Sequence, residues 1–262
     1  MLNRFEIYGA WLREDPAGFV VYILCFAAAA LLSLTLHECA HGYVALRCGD
    51  PTAKLRGRLS LNPARHLDPV GTLCMVVLGF GWARPVPVDP RNYRHYRRDE
   101  YLVSVAGIAV NLALFLICSV LSVLCCRLML GPGWFEGALR WNKVTLYTDL
   151  SSLIVFGGVT LPRGLMAGMA LPWLQYPLRF LLMMTYVNLP LAVFNLLPIP
   201  PLDGWRIVNN ALRGRLNVRP QTFRVVQVAL VLLCFTGLLG QGMGLVVNAI
   251  EGAMIRALVG LL

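Results

Sequence analysis

Charge is scarce in this chain. Charged residues fill 14% of its 262 positions, where soluble domains carry about 25%. That shortage excludes an ordinary water-facing globular domain, and the mean hydropathy of +0.66 agrees. Also missing is any CxxC pair. The eight cysteines, Cys25, Cys39, Cys48, Cys74, Cys118, Cys125, Cys126 and Cys234, mostly sit inside apolar runs. Neither a thiolate zinc site nor a disulfide framework is indicated, and the thiols read as small buried apolar groups. No internal repeat, no low-complexity tract beyond Ala27–Ala30 and no polar insertion of domain size occurs. A single membrane-embedded domain spanning residues 1–262 is expected.

Positive charge is the exception, with a net charge of +10. Its placement excludes nucleic acid as a partner. Ten of the 23 Lys and Arg lie between Arg47 and Arg98, and five more between Arg206 and Arg224. These are flanks of apolar segments, where a positive-inside bias belongs. Both loops are therefore expected in the cytoplasm, and the partner of the surface is the lipid bilayer.

The apolar pattern predicts an all-α polytopic membrane protein with five to six transmembrane helices. Spans are expected at about Ala17–Leu46, Tyr101–Cys126, Leu178–Leu197, Phe223–Leu239 and Gly242–Leu262, with residues 144–175 ambiguous because Pro162, Gly164, Gly168 and Pro172 interrupt them. Pro69–Phe80 is too short to cross as an ordinary helix and reads as a re-entrant element. The proline alternation in Trp82-Ala83-Arg84-Pro85-Val86-Pro87-Val88 predicts extended, β-like or loop structure. Residues 1–30 imitate a signal peptide, but the apolar run continues to Leu46, so an uncleaved helix is expected.

Inside the first span lies Leu36-His37-Glu38-Cys39-Ala40-His41-Gly42. Ionisable groups at membrane depth are expensive, about 2.5–3.5 kcal/mol on insertion scales for Asp, Lys or Arg, so three within five positions mark a site. The pattern is H-E-x-x-H. On a helix, positions i and i+4 share a face, so His37 and His41 can address one ion. Neutral imidazoles suit Zn²⁺. Glu38, turned about 100° from His37, stands beside the ion, where it can take a proton from water. His41 precedes Arg47 by six residues, about 9 Å of helix, which puts the site near the cytoplasmic face.

Two histidines do not complete a catalytic zinc site, which uses three protein ligands. Asp203 follows Pro198, Pro200 and Pro201 at the end of an apolar span. Irregular backbone at that depth is tolerated where it lines a cavity. Asp203 equally suits the N-cap of a helix through Trp205–Leu212, and spacing alone does not choose between the two.

These segments together resemble the site-2 protease family of intramembrane zinc metalloproteases, in its compact form without a PDZ domain. Asn195-Leu196-Leu197-Pro198-Ile199-Pro200-Pro201-Leu202-Asp203-Gly204 is similar to the family's second signature. Leu59 through Leu73, Gly81 through Val88, and Ala106-Gly107-Ile108-Ala109-Val110-Asn111 resemble further family segments, in the family's order over roughly residues 20–215. Ile108 departs from a proline common there, a change expected to alter helix packing. The resemblance implies a catalytic core at about 17–215, one zinc held by His37, His41 and Asp203, Glu38 as catalytic base, and Asn195 orienting the reacting carbonyl. Asn195 also reads as a polar tie between helices. His66 and Asp68 are expected to serve hydrogen bonding and turn formation. The implied activity is hydrolysis of peptide bonds in or beside transmembrane segments of membrane-anchored proteins. An inactive scaffold and a metal transporter are the alternatives. Glu38, which is not needed to hold metal, argues against the first, and the missing repeat argues against the second.

Overall fold

The computed structural model describes residues 2–78, 81–132, 143–216 and 219–260. Glu136, which the sequence places in an outer connection, lies outside the described residues, as does the end of the Pro69–Phe80 segment.

The protein is all-α. Among the described residues, the helices longer than a single turn are, in chain order, α1 (Leu2–Glu14), α2 (Pro16–Cys48), α3 (Pro69–Leu78), α4 (Tyr96–Leu130), α5 (Lys143–Phe156), α6 (Gln175–Asn195), α7 (Asp203–Ala211), α8 (Pro220–Thr236) and α9 (Leu238–Gly260). Among the described residues, four helical segments reach 18 residues and are apolar enough to cross a membrane: α2, α4, α6 with its leading turn from Pro172, and α9. This is an integral membrane protein. Helix α8 is apolar but has 17 residues, and α3 has 10, or about 15 Å, half the hydrocarbon core. The ambiguous stretch resolves into α5, a single helical turn at Arg163–Met166 and a tighter turn at Pro172–Leu174.

Local chemistry sets these boundaries. Asp15 accepts a hydrogen bond from the Gly18 amide at 2.9 Å, with Pro16 at the first helical position, the favoured start of a helix. Ala27–Ala30 lie within unbroken α2. Helix α4 starts with a reciprocal cap in which Asp99 reaches back to the His95 amide at 2.8 Å. Buried Ile108 continues this helix without interruption. Helix α1 was not anticipated, because its few apolar positions do not stand out beside the long run that follows.

By internal contacts the chain divides into two compact units. One comprises Ala30–Ala113 and Asn188–Val246; the other comprises Leu2–Ala29, Leu114–Val187 and Val247–Leu262. In the second unit, Trp11 packs its ring near Phe19, Tyr22 and Phe156. Buried Arg179 there donates to the Ile154 carbonyl in the last turn of α5 and to the Gly158 and Val159 carbonyls in the segment that follows it.

The first unit contains the polar loop after α2. Among the described residues, the β-like element expected there is one antiparallel bridge, Leu67 to Ala83, continued by the Arg84 amide to the His66 carbonyl at 2.8 Å. Between these ends runs helix α3. Asp68 accepts from the Gly71 amide at 2.8 Å and so caps α3. The proline-rich segment is extended because Pro85 and Pro87 admit neither helix nor a full ladder.

Candidate metal centre

Helix α2 supplies the first two groups of the centre. His37 and His41, one turn apart, put their Nε2 atoms 3.1 Å from each other. Asp203 Oδ2 stands 3.3 Å from His37 Nε2 and 3.2 Å from His41 Nε2. All three residues are buried. Donors bound at 2.0–2.2 Å to one tetrahedral ion lie about 3.3–3.5 Å apart, so this triangle matches a shared metal. Its atoms also need one. Asp203 Oδ2 is buried without a hydrogen-bond donor. His41 Nδ1 donates to the Val103 carbonyl at 2.7 Å, which leaves Nε2 with a bare lone pair, the form that ligates metal. Two imidazoles and a carboxylate are a ligand set that suits zinc. The residues present fit the group.

Asp203 reaches this point because of the backbone before it. It is the first residue of α7, and Leu202, not Asp203, occupies the N-cap position. The N-cap alternative is thereby overturned: no side-chain cap is made, and the carboxylate turns toward the histidines instead. Gly204 explains the close approach. A Cβ there would lie 2.3 Å from the Leu196 carbonyl oxygen and 2.6 Å from that of Leu197, so any larger residue would push α7 away from the turn after α6.

Glu38 stands beside the triad. Its Oε2 accepts the Val86 amide at 2.7 Å. Pro85 and Pro87 carry no N–H, so Val86 offers the single donor of that tripeptide, and Glu38 takes it. The proline alternation was visible in sequence; its aim at Glu38 was not. Asn195 is placed differently from the triad. Its amide donates to Leu191 in its own helix at 3.0 Å, and no hydrogen bond joins it to His37, His41 or Asp203. The inter-helix tie is not what this contact makes either. His66 is buried and bonds the Ser60 carbonyl at 2.7 Å, with Cys39 Sγ 3.7 Å away, as expected for loop hydrogen bonding.

Two further contacts were not foreseen from the sequence, although Gly107 stands in one of the segments that carry the resemblance. Gly107 of α4 lies against both rings: a Cβ there would sit 2.4 Å from His37 Cε1 and 2.5 Å from His41 Nε2. The absence of a side chain makes room for the centre. Arg206, one turn past Asp203, is paired with Glu100 at the start of α4.

Comparison with known proteins decides the family. Residues 25–237 match the model of peptidase family M50. The chain belongs to that family. YwhC of Bacillus subtilis is 38% identical over 80% of this chain and 74% of its own. Rip2 of Mycolicibacterium smegmatis is 28% identical over 84% of this chain and 68% of its own. Rip2 of Mycobacterium tuberculosis strain H37Rv is 28% identical over 86% and 71%. The names of these relatives give the zinc metalloprotease assignment provisionally. No solved structure matches at comparable significance. The site-2 protease resemblance read from the motifs is borne out, and the chain is a membrane protein of a metallopeptidase family.

Proposed function

We propose that this protein is an intramembrane zinc metalloprotease that cuts peptide bonds in or next to transmembrane segments of membrane-anchored proteins. The observation that carries the reading is the convergence of His37, His41 and Asp203 at 3.1–3.3 Å with Glu38 adjacent to His37. His37, His41 and Asp203 would hold one zinc ion. When bound, zinc would polarise the scissile carbonyl and acidify water.

The chain's own residues supply the rest. Glu38 accepts the proton of the attacking water and passes it to the leaving amine. The Val86 amide fixes one of its oxygens and leaves the other, Oε1, for the proton. Val103 holds the His41 ring in the ligating tautomer. Asn195, at the end of α6, orients the substrate carbonyl by its amide; this role requires the amide to leave Leu191. A substrate helix hides its peptide bonds in its own hydrogen bonds, so cleavage needs local unwinding near glycine, proline or polar residues. The basic loops after α2 and after α7 support an active site near the cytoplasmic face of the cell membrane.

The test is cleavage of membrane-anchored candidates co-reconstituted with purified enzyme. Wild type cuts; Glu38→Gln retains zinc and cuts at least 1,000-fold more slowly, an estimate of about 4 kcal/mol of lost barrier lowering. A Glu38→Gln protein that cuts like wild type removes Glu38 from the mechanism. A zinc-loaded wild type inert towards every anchored substrate favours the scaffold.

A further inference from the structure

Asn111 of α4 is fully buried, and neither its amide nitrogen nor its amide oxygen has a hydrogen-bond partner among the described residues. Buried amides are almost always satisfied by protein or by ordered water. An asparagine left this way within a membrane span is there for something other than packing.

His37 poses the complementary need. Its Nε2 faces Asp203 and His41, while its Nδ1 is buried without a partner. A metal-binding imidazole nearly always donates its second N–H to a carboxylate, a carbonyl or a water. His41 meets that requirement through Val103. His37 has no such acceptor among the described protein groups.

Helix α4 links the two needs. A Cβ on Gly107 would stand 2.6 Å from His37 Nδ1, so that edge of the ring rests on the Gly107 backbone. Asn111 follows four residues later and shares the face of Gly107. Side chains on a helix lean toward its N-terminus, so the Asn111 amide leans back over the turn that Gly107 leaves bare. Four residues rise about 6 Å along the axis, and the backward lean of the amide covers part of that rise. The two groups make no direct hydrogen bond, and one water bridges partners up to about 5.6–6 Å apart.

We infer that Asn111 is a positioning residue for the metal ligand His37: its amide oxygen holds a buried water that accepts the His37 Nδ1–H and so fixes the ring with Nε2 toward the metal. The G-x-x-x-N spacing then has one purpose in two parts. The glycine admits the imidazoles, and the asparagine orients one of them. This inference rests on the metal-site reading above.

The test measures zinc affinity of the purified full-length protein by chelator competition, with the melting temperature of the metal-free protein measured alongside. Asn111→Leu keeps the volume and removes both amide atoms. It is expected to weaken zinc binding about 10–100-fold while the metal-free protein melts no lower than wild type. Asn111→Ser, whose hydroxyl can hold the water, is expected to recover most of the affinity. A purely structural role would lower the metal-free melting temperature and leave zinc affinity alone. If Asn111→Leu does not fold, ¹⁵N-histidine NMR of zinc-loaded wild type and Asn111→Ala decides. The His37 ring is expected as the Nδ1–H tautomer with slow solvent exchange in wild type and fast exchange in the variant. Wild-type protein that binds zinc, with Asn111→Leu within twofold of it or with His37 exchange unchanged in Asn111→Ala, overturns the inference. Wild-type protein that binds no zinc overturns the metal-site reading instead.

Discussion

Arg206 grips Glu100 in a two-pronged pair, Nε to Oε1 at 2.9 Å and the second nitrogen to Oε2 at 3.2 Å. Arg206 lies three residues after Asp203, and Glu100 three residues before Val103, the acceptor of His41. One ion pair thus ties the helix that carries the third metal-ligand candidate to the helix that steadies the second.

Removing one partner should cost more than a surface pair would. Burial works against the Arg206 charge, and Glu100 more than compensates, leaving the guanidinium held above its ordinary pKa. Arg206→Met is expected to lower stability by about 2–3 kcal/mol, below the roughly 3–5 kcal/mol of fully buried pairs, because 27% of the Arg206 side chain stays exposed. Denaturant or thermal unfolding in detergent checks this. Loss below 0.5 kcal/mol would mean the pair is incidental.

Gly107 should tolerate nothing larger. Gly107→Ala places a methyl 2.4–2.6 Å from the His37 and His41 rings, and the His41 ring is pinned by Val103. The rings must turn, so zinc affinity is expected to fall at least tenfold with helix content unchanged. Chelator competition and circular dichroism measure both. Wild-type affinity in the alanine variant would show that α4 can retreat.

Asp50 gives the loop beside the centre a pH limit. It is fully buried and accepts from the Thr52 amide and hydroxyl, the Asn92 side chain and the Asp89 amide. Burial pushes its carboxyl up, but these hydrogen bonds more than offset that and hold it below the ordinary range. A lowered folded pKa contributes stability that is complete above the unfolded value of about 3.9. That part is lost as pH falls through the lowered value. Wild type is therefore expected to lose stability steeply below about pH 4, and Asp50→Asn to show a flatter acid limb from a lower plateau. Parallel limbs in the two proteins would assign the acid loss elsewhere.

Much of this molecule was legible before its structure. The long spans could be read because burial in lipid demands unbroken apolar helices, and α2, α4 and α6 lie close to where hydropathy puts them. His37 and His41 were legible because i and i+4 share a face on any helix. Asp203 needed a tertiary fact: only its distances to His37 and His41 show that the carboxylate turns to the histidines rather than capping α7. Val86, Gly107 and Arg206 act through distances to other segments, which a linear pattern does not contain. Helix α3 and the Leu67–Ala83 bridge stood near the expected re-entrant, β-like element. Proline spacing limits ladder formation but does not say how little of a ladder forms.

His37, His41 and Asp203 are expected to hold one metal ion together. The most direct test is the zinc bound per chain in purified, unstripped protein, for wild type and Asp203→Ala, each shown to be folded. Wild type is expected to carry one zinc, and the variant to retain it far more weakly. Equal retention without Asp203 would contradict the three-residue centre, and a folded wild type that holds no metal would contradict the centre altogether.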